Sequence, residues 1–187
     1  MNIHRHGTGQ KLARGFTVLE LMITACVAGI LLLTGLPSLQ QFGRQQRMKA
    51  AIGQLQNDLM MGRSEAVMRN LAAVACPGNP SSGCSGIPDW ADGWIVFSDA
   101  NGDRQFQAGE TLLRHGQHIE NMNISGSAGR HEVRFFPNGS APGSNGSITF
   151  CGLGGPAEAR KLVISNLGRI RRDTAKDTDP VKCPISA

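Results

Sequence analysis

Arg14-Gly15-Phe16-Thr17-Val18-Leu19-Glu20-Leu21 marks the point where a polar, basic start gives way to an apolar run. Before it, residues 1–15 (MNIHRHGTGQKLARG) carry Arg5, Lys11 and Arg14 and no acidic residue. After it, Phe16 to Leu36 is an apolar stretch of 21 residues, interrupted by Glu20 and a few small or hydroxyl residues. At about 1.5 Å rise per residue, a helix of this length covers roughly 30 Å, the thickness of a bilayer's hydrocarbon core. The basic start places the N-terminus on the cytoplasmic side. A secretory signal peptide would carry small residues at a cleavage site just past the apolar run. Here the run passes instead into Pro37 and a polar helical pattern. Glu20 is the informative residue. A carboxylate costs about 2.5–3.5 kcal/mol at the middle of such a span and less near its end. It needs a partner, and a free amine made by cutting the chain before Phe16 is one.

Pro37 lacks an N–H and is expected to kink the helix. Beyond it, Met48, Ile52, Leu55, Leu59 and Ala66 follow spacings of 4, 3, 4 and 7, one face of an amphipathic helix. Arg44, Arg47, Lys49, Asp58, Arg63 and Glu65 suit its solvent side, and Met60-Met61 suits the core. The helix is expected to end near Asn70. From residue 71 the pattern changes to short β-prone runs between Gly, Pro, Asn and Ser clusters. Candidate strands are Leu71–Cys76, Trp94–Phe97, Thr111–Arg114, Met122–Ser125, Glu132–Phe136, Ser147–Cys151, Lys161–Ser165 and Arg169–Arg172. Successive strands without intervening helices imply antiparallel sheets. The expected organisation is a leader at 1–15, a transmembrane helix at 16–37, an amphipathic helix at 38–70 and a β-rich head at 71–187. The fold class is α+β.

Composition agrees with one small domain plus an appendage. The 187 residues are 40% hydrophobic, with 24 Gly and no Tyr, so the core must be mostly aliphatic and the turns many. Removing the first 15 positions takes away three of 19 basic residues and no acidic one, which lowers the net charge from +5 to +2. A basic surface must therefore be local. Of the five Cys, Cys26 lies in the apolar run and four lie in the polar remainder. No zinc-like spacing with His is present, so disulfides in an oxidising compartment are expected, with free buried thiols as the alternative. Cys76–Cys84 would close a short loop rich in Pro, Gly and Ser. Cys151–Cys183 would tie down a C-terminal tail with little apolar content.

The Arg14–Leu21 stretch resembles the processing motif of type IV prepilins and type II secretion pseudopilins. The resemblance implies that a prepilin peptidase cuts between Gly15 and Phe16 and methylates the new amine of Phe16. It also implies that Glu20 meets that amine of a neighbouring subunit during assembly, and it agrees with Pro37 in the long helix. Further along, Leu59–Ala66, Gly93-Trp94-Ile95-Val96-Phe97 and Gly109-Glu110-Thr111-Leu112-Leu113-Arg114 occur in an order similar to the FimT/GspH group of minor pilins and minor pseudopilins. That group folds as a long helix on a small two-sheet β-domain. Its members stand in the inner membrane as single-pass proteins with a periplasmic head. They assemble with other pilins or pseudopilins into a pilus or pseudopilus.

Three constellations invite chemical readings. Asp99, Asn101, Asp103 and Glu110 place oxygens at positions of a calcium loop, although Arg104 stands where such loops need Gly. The competing reading is a polar hairpin loop whose side chains bond their own backbone. His115, His118 and His131 read as solvated, as do His4 and His6 in the leader. No nucleophile elbow, P-loop or dinucleotide fingerprint occurs, so neither an enzyme nor a cofactor is expected.

The third constellation runs from Arg160 and Lys161 to Gly168, Arg169, Arg171 and Arg172, with five positive charges and no negative ones. Ser165–Gly168 reads as a turn between two strands. Period-two geometry puts Arg169 and Arg171 on one face and Arg172 on the other. Paired guanidinium groups suit phosphates, and Gly168 would let a backbone phosphate approach. An edge strand blunted by charge is the alternative. Gly168-Arg169-Ile170-Arg171 resembles the Gly-Arg-x-Arg element of FimT-type minor pilins that bind DNA during natural transformation. The leading expectation is a minor type IV pilin with a DNA-binding head. The alternative is a minor pseudopilin of a type II secretion system.

Overall fold

Thr17 starts the long helix α1, Val18–Arg69. Its hydroxyl accepts the Glu20 N–H at 3.2 Å, a side-chain cap three residues ahead of an acidic residue. The structure, a computed structural model, describes residues 15–152, 158–174 and 183, apart from the side chains of 33–38. The expected leader at 1–14 and most of the tail after 174 lie outside the described residues. The chain divides into two units, Met1–Phe42 and Gly43–Ala187. In the first, Phe16, Leu19, Leu21, Ile30 and Leu31 are exposed. α1 runs on through residue 37. Among the described residues, no helix is long and apolar enough to cross a membrane.

In the second unit, the α1 face read from spacing is the buried one: Met48, Ile52, Leu55, Leu59 and Ala66 are each at most 6% exposed. Asn70, with φ 54°, ends the helix in the left-handed conformation that Asn tolerates at this position. Nine strands follow among the described residues: β1 Ala72–Asn79, β2 Gly83–Cys84, β3 Trp94–Asp99, β4 Leu112–Gly116, β5 Met122–Gly126, β6 Val133–Phe135, β7 Gly146–Gly152, β8 Arg160–Ile164 and β9 Ile170–Thr174. All pairings are antiparallel. One sheet has the order β2-β1-β3-β4, with β6 also on β1, and the second has the order β5-β7-β8-β9.

The α1 face packs with Trp94, Val96 and Phe135 of the first sheet and with Ile124, Phe150 and Leu162 of the second. β3 is buried along its whole length because both its faces are covered. Trp94 and Val96 face the main core, while Ile95 and Phe97 join Val74 and Cys76 under Phe106. The α+β architecture read from the sequence is the one observed. β2 is an addition to it. It pairs with the end of β1, where Gly78 has φ 143° and a Cβ would lie 2.0 Å from Gly83 O.

Two placements differ from the sequence reading. Asp58, assigned to the solvent side, is buried and accepts the Trp94 indole N–H at 2.9 Å. Burial pushes its carboxyl above the ordinary range, against the opposing pull of Trp94 and of Arg114. Met60, assigned to the core, is 54% exposed and lines an open cleft beside Arg169 and Ile170.

Candidate functional site

The second sheet ends on β9, whose only described ladder partner is β8. The two strands join through a tight turn in which Gly168 N–H donates to Ser165 O at 2.8 Å and Ser165 N–H to Arg169 O at 3.0 Å. Register then distributes four of the basic residues. Leu162 pairs with Arg172, Val163 with Arg171, Lys161 with Asp173 and Arg160 with Thr174. Leu162 and Ile164 are buried, so Arg172 lies on the α1 side of the sheet. There its Nε donates to Gln56 Oε1 at 2.5 Å. Arg160 shares that side, and its guanidinium donates to Ala159 O at 2.9 Å. Lys161 and Arg171 share the opposite face, where Arg171 pairs with Asp173 at 3.0 Å. Arg169 precedes β9 in the turn and lines a cleft with Arg63 and Gly139. Among the described residues its guanidinium has no carboxylate partner. The charges thus form two groups on two faces instead of one patch.

Arg63 belongs beside them and is absent from any sequence reading of the site. From α1 its Nε donates to Gly139 O at 2.8 Å and its Nη2 to Leu167 O at 3.4 Å. It holds the 138–140 loop and the β8–β9 turn together. Gly168 sits in this junction with φ 72°, and a Cβ there would lie 2.1 Å from Gly139 O and 3.0 Å from Arg63 Nε. Packing alone therefore demands glycine at 168, whatever approaches from outside. The sequence signal was available only in part: Arg63 lies at an intermediate position of the helix pattern, and its partners are 76 and 104 residues away.

The loop after β3 gathers its acidic side chains as the spacing implied. Asp99, Asp103 and Glu110 bring carboxylate oxygens within 4.8 Å of one another. Backbone donors occupy one oxygen of each. Asp99 Oδ1 accepts Gly102 N–H at 2.9 Å, Asp103 Oδ1 accepts Gln105 N–H at 2.8 Å and Glu110 Oε1 accepts Ala100 N–H at 3.2 Å. Asn101 Nδ2 donates to Asp103 Oδ2 at 2.9 Å. A guanidinium, Arg134, pairs with Oδ2 of buried Asp99 at 3.1 Å. This is the geometry of a hairpin loop closed on its own backbone.

His118 pairs with Asp92 at 3.2 Å, and His115 lies on β4. Disulfides join Cys76 to Cys84 and Cys151 to Cys183. Cys26 is free and exposed. At the start of α1, Glu20 and Phe16 are both exposed, and Glu20 has no side-chain partner among the described residues.

A long helix carrying two small antiparallel sheets, with an acidic residue in the first helical turn, is the architecture of a type IV pilin-like subunit. The chain belongs to the GspH family, described as type II transport protein GspH, whose model matches residues 51–168. It is 29% identical over 171 residues to the pilin-like protein PilA1 of Thermus thermophilus, covering 84% of this chain and 97% of that one. Its fold is similar to that of the type IV minor pilin FimU of Pseudomonas aeruginosa in two crystal forms. One gives a TM-score of 0.53 at 21% identity over 73% of this chain and 99% of that one. The other gives 0.55 at 23% identity, with coverage of 76% and 99%. The protein is accordingly a type IV pilin-like protein of the GspH/FimT type.

Proposed function

We propose that this subunit is a minor type IV pilin whose head binds DNA during natural transformation. Prepilin peptidase cuts it between Gly15 and Phe16 and methylates Phe16. Residues 16–37 then hold it in the inner membrane with the head in the periplasm, until Glu20 meets a neighbouring Phe16 amine and the subunit joins other pilins. Each step rests on the Gly15-Phe16 junction, on Glu20 and on the pilin-like fold.

One observation supports the DNA reading above the others. Arg169 stands at a turn locked by Gly168 and Arg63, with no carboxylate partner among the described residues, and Arg171 follows it on β9. A phosphate oxygen can take the donors of Arg169 at little reorganisation cost. Such contacts recognise backbone and not sequence, so binding is weak and salt-dependent. The test uses the full chain in nonionic micelles and labelled DNA at several salt concentrations. Arg169→Gln with Arg171→Gln weakens binding to all sequences alike and flattens the salt slope by about 1 per lost phosphate contact. Unchanged affinity of this variant at about 0.1 M salt refutes the reading. A pseudopilin of a type II secretion system is the second reading, favoured by the description of the matched family. Absence of DNA binding in the parent supports it.

A further inference from the structure

We propose that a collar of basic residues at the start of the second unit, made by Arg44, Arg47 and Lys49 with Arg160 and Arg172, binds anionic phospholipid headgroups at the periplasmic face of the inner membrane. This rests on the membrane reading above and adds a lipid contact to it.

The position follows from length. From Phe16 to Gly43 the chain holds 28 residues, and Glu20 is the one charged residue among them. At about 1.5 Å per residue these make about 42 Å of helix, the thickness of a bilayer with its headgroups. Arg44, Arg47 and Lys49 come next, and all are exposed. Cations just past the outer end of a span run against the positive-inside bias. Three of them within six residues therefore call for a local anion. The protein does not supply it. No acidic residue occurs from Leu21 to Asn57, so none of the three has a carboxylate three or four residues away. Among the described residues, none of them forms an ion pair.

The arrangement suits a surface. At about 100° per residue, Arg47 stands about 60° to one side of Arg44 and Lys49 about 140° to the other. The three fan round more than half of the helix within about 7.5 Å of rise, roughly the depth of one headgroup layer. A partner lying along the helix, such as another helix or a duplex, meets one side of it. A surface crossing the helix axis meets all three, and long basic side chains reach it by snorkelling. A cleft adds to the collar. Lys49, Ile52, Arg160, Arg172, Asp173 and Thr174 line it, and its volume is about 430 Å³. It lies at the Arg160–Thr174 end of the β8–β9 pair, away from the turn. About 21 Å of helix rise separates Lys49 from Arg63. Arg172 is fixed there by Gln56, and a Cβ on Gly53 would lie 3.5 Å from its Nη2, so its guanidinium rests on α1. Asp173 is already paired with Arg171. A phosphodiester matches these three cations. A free phosphate would fill the cleft and leave Arg44 and Arg47 unmatched, whereas a layer of headgroups meets both.

The experiment is native mass spectrometry of the full chain released from nonionic micelles that hold equal amounts of phosphatidylglycerol and phosphatidylcholine. The expected result is retention of phosphatidylglycerol over phosphatidylcholine by about ten-fold. Lys49→Gln with Arg160→Gln lowers the preference to about two-fold, and so does Arg44→Gln with Arg47→Gln. Both variants keep the parent's melting temperature, because all four side chains are exposed and none is in an ion pair. Equal retention of the two lipids by the parent overturns the proposal, and so does an unchanged preference in either variant. Displacement of the lipid by millimolar inorganic phosphate at constant ionic strength marks a phosphate site only and also overturns it. If Lys49→Gln with Arg160→Gln loses DNA while keeping the lipid preference, the face belongs to DNA and the proposal falls. Carbonate extraction of cell membranes separates this failure from that of the membrane reading. A chain that stays in the membrane but shows no lipid preference refutes the collar alone. A chain that leaves the membrane refutes both.

Discussion

Replacing Gly168 by Ala separates two reasons for a glycine at this turn. If the residue serves only to let a phosphate approach, Ala lowers DNA binding and leaves stability alone. The structure argues otherwise. With φ 72° the residue is left-handed, a conformation that costs an L side chain about 1–2 kcal/mol. The added Cβ would also lie 2.1 Å from Gly139 O. Relief requires the turn to move away from the 138–140 loop. That movement strains the Ala141 N–H to Asn166 O bond of 2.8 Å and the two Arg63 bonds. Each such bond contributes about 0.5–1.5 kcal/mol net. A total loss of about 2–4 kcal/mol follows. For a domain of this size that lowers the melting temperature by roughly 5–15 °C. Tryptophan fluorescence during a thermal melt reads it directly, since Trp90 and Trp94 are both buried in the head. DNA binding falls as well, because Arg63 and Arg169 lose their fixed positions. A variant that melts within about 2 °C of the parent and still loses DNA refutes the packing argument.

Three further outcomes are expected. Asp58 has its carboxyl raised chiefly by burial, so the fold favours its protonated form. That contribution is fully present below the unfolded pKa and is lost as pH rises through the folded one. Asp58→Asn, which keeps an acceptor for Trp94, should match or exceed the parent at pH 7, and the parent should gain on it as pH falls. Urea midpoints across that range give the comparison, and parallel curves contradict it. Cys151→Ser with Cys183→Ser opens a loop with a sequence separation of 32. It should cost about 3–4 kcal/mol in the chain-entropy model, read as a lower urea midpoint, and an unchanged midpoint counts against the tie. Glu20→Ala should still be processed but should be scarce in sheared filaments, and wild-type abundance there removes its assembly role.

The helix face from Met48 to Ala66 was legible because a period of 3.6 residues is local information. Most strands were legible for the same reason, through their composition and the turns between them. Asp58 was misplaced because charge argues for solvent, and its partner Trp94 is 36 residues away. Met60 was misplaced because hydrophobicity argues for burial, yet it borders an open cleft beside the β8–β9 turn. β2 depends on the backbone of Gly78 and Gly83 meeting across a turn, which no propensity of two residues announces. The basic segment could be divided into two faces from strand alternation alone. That Arg172 spends its guanidinium on Gln56, and that Arg63 braces the turn, required the fold.

Mass spectrometry of the N-terminal peptide from the membrane fraction tests the central claim most directly. The account predicts a mature chain that begins at Phe16 with a methylated amine, and a retained leader when Gly15 is changed to Val. An N-terminus at any other residue, or an intact leader in the parent protein, contradicts it.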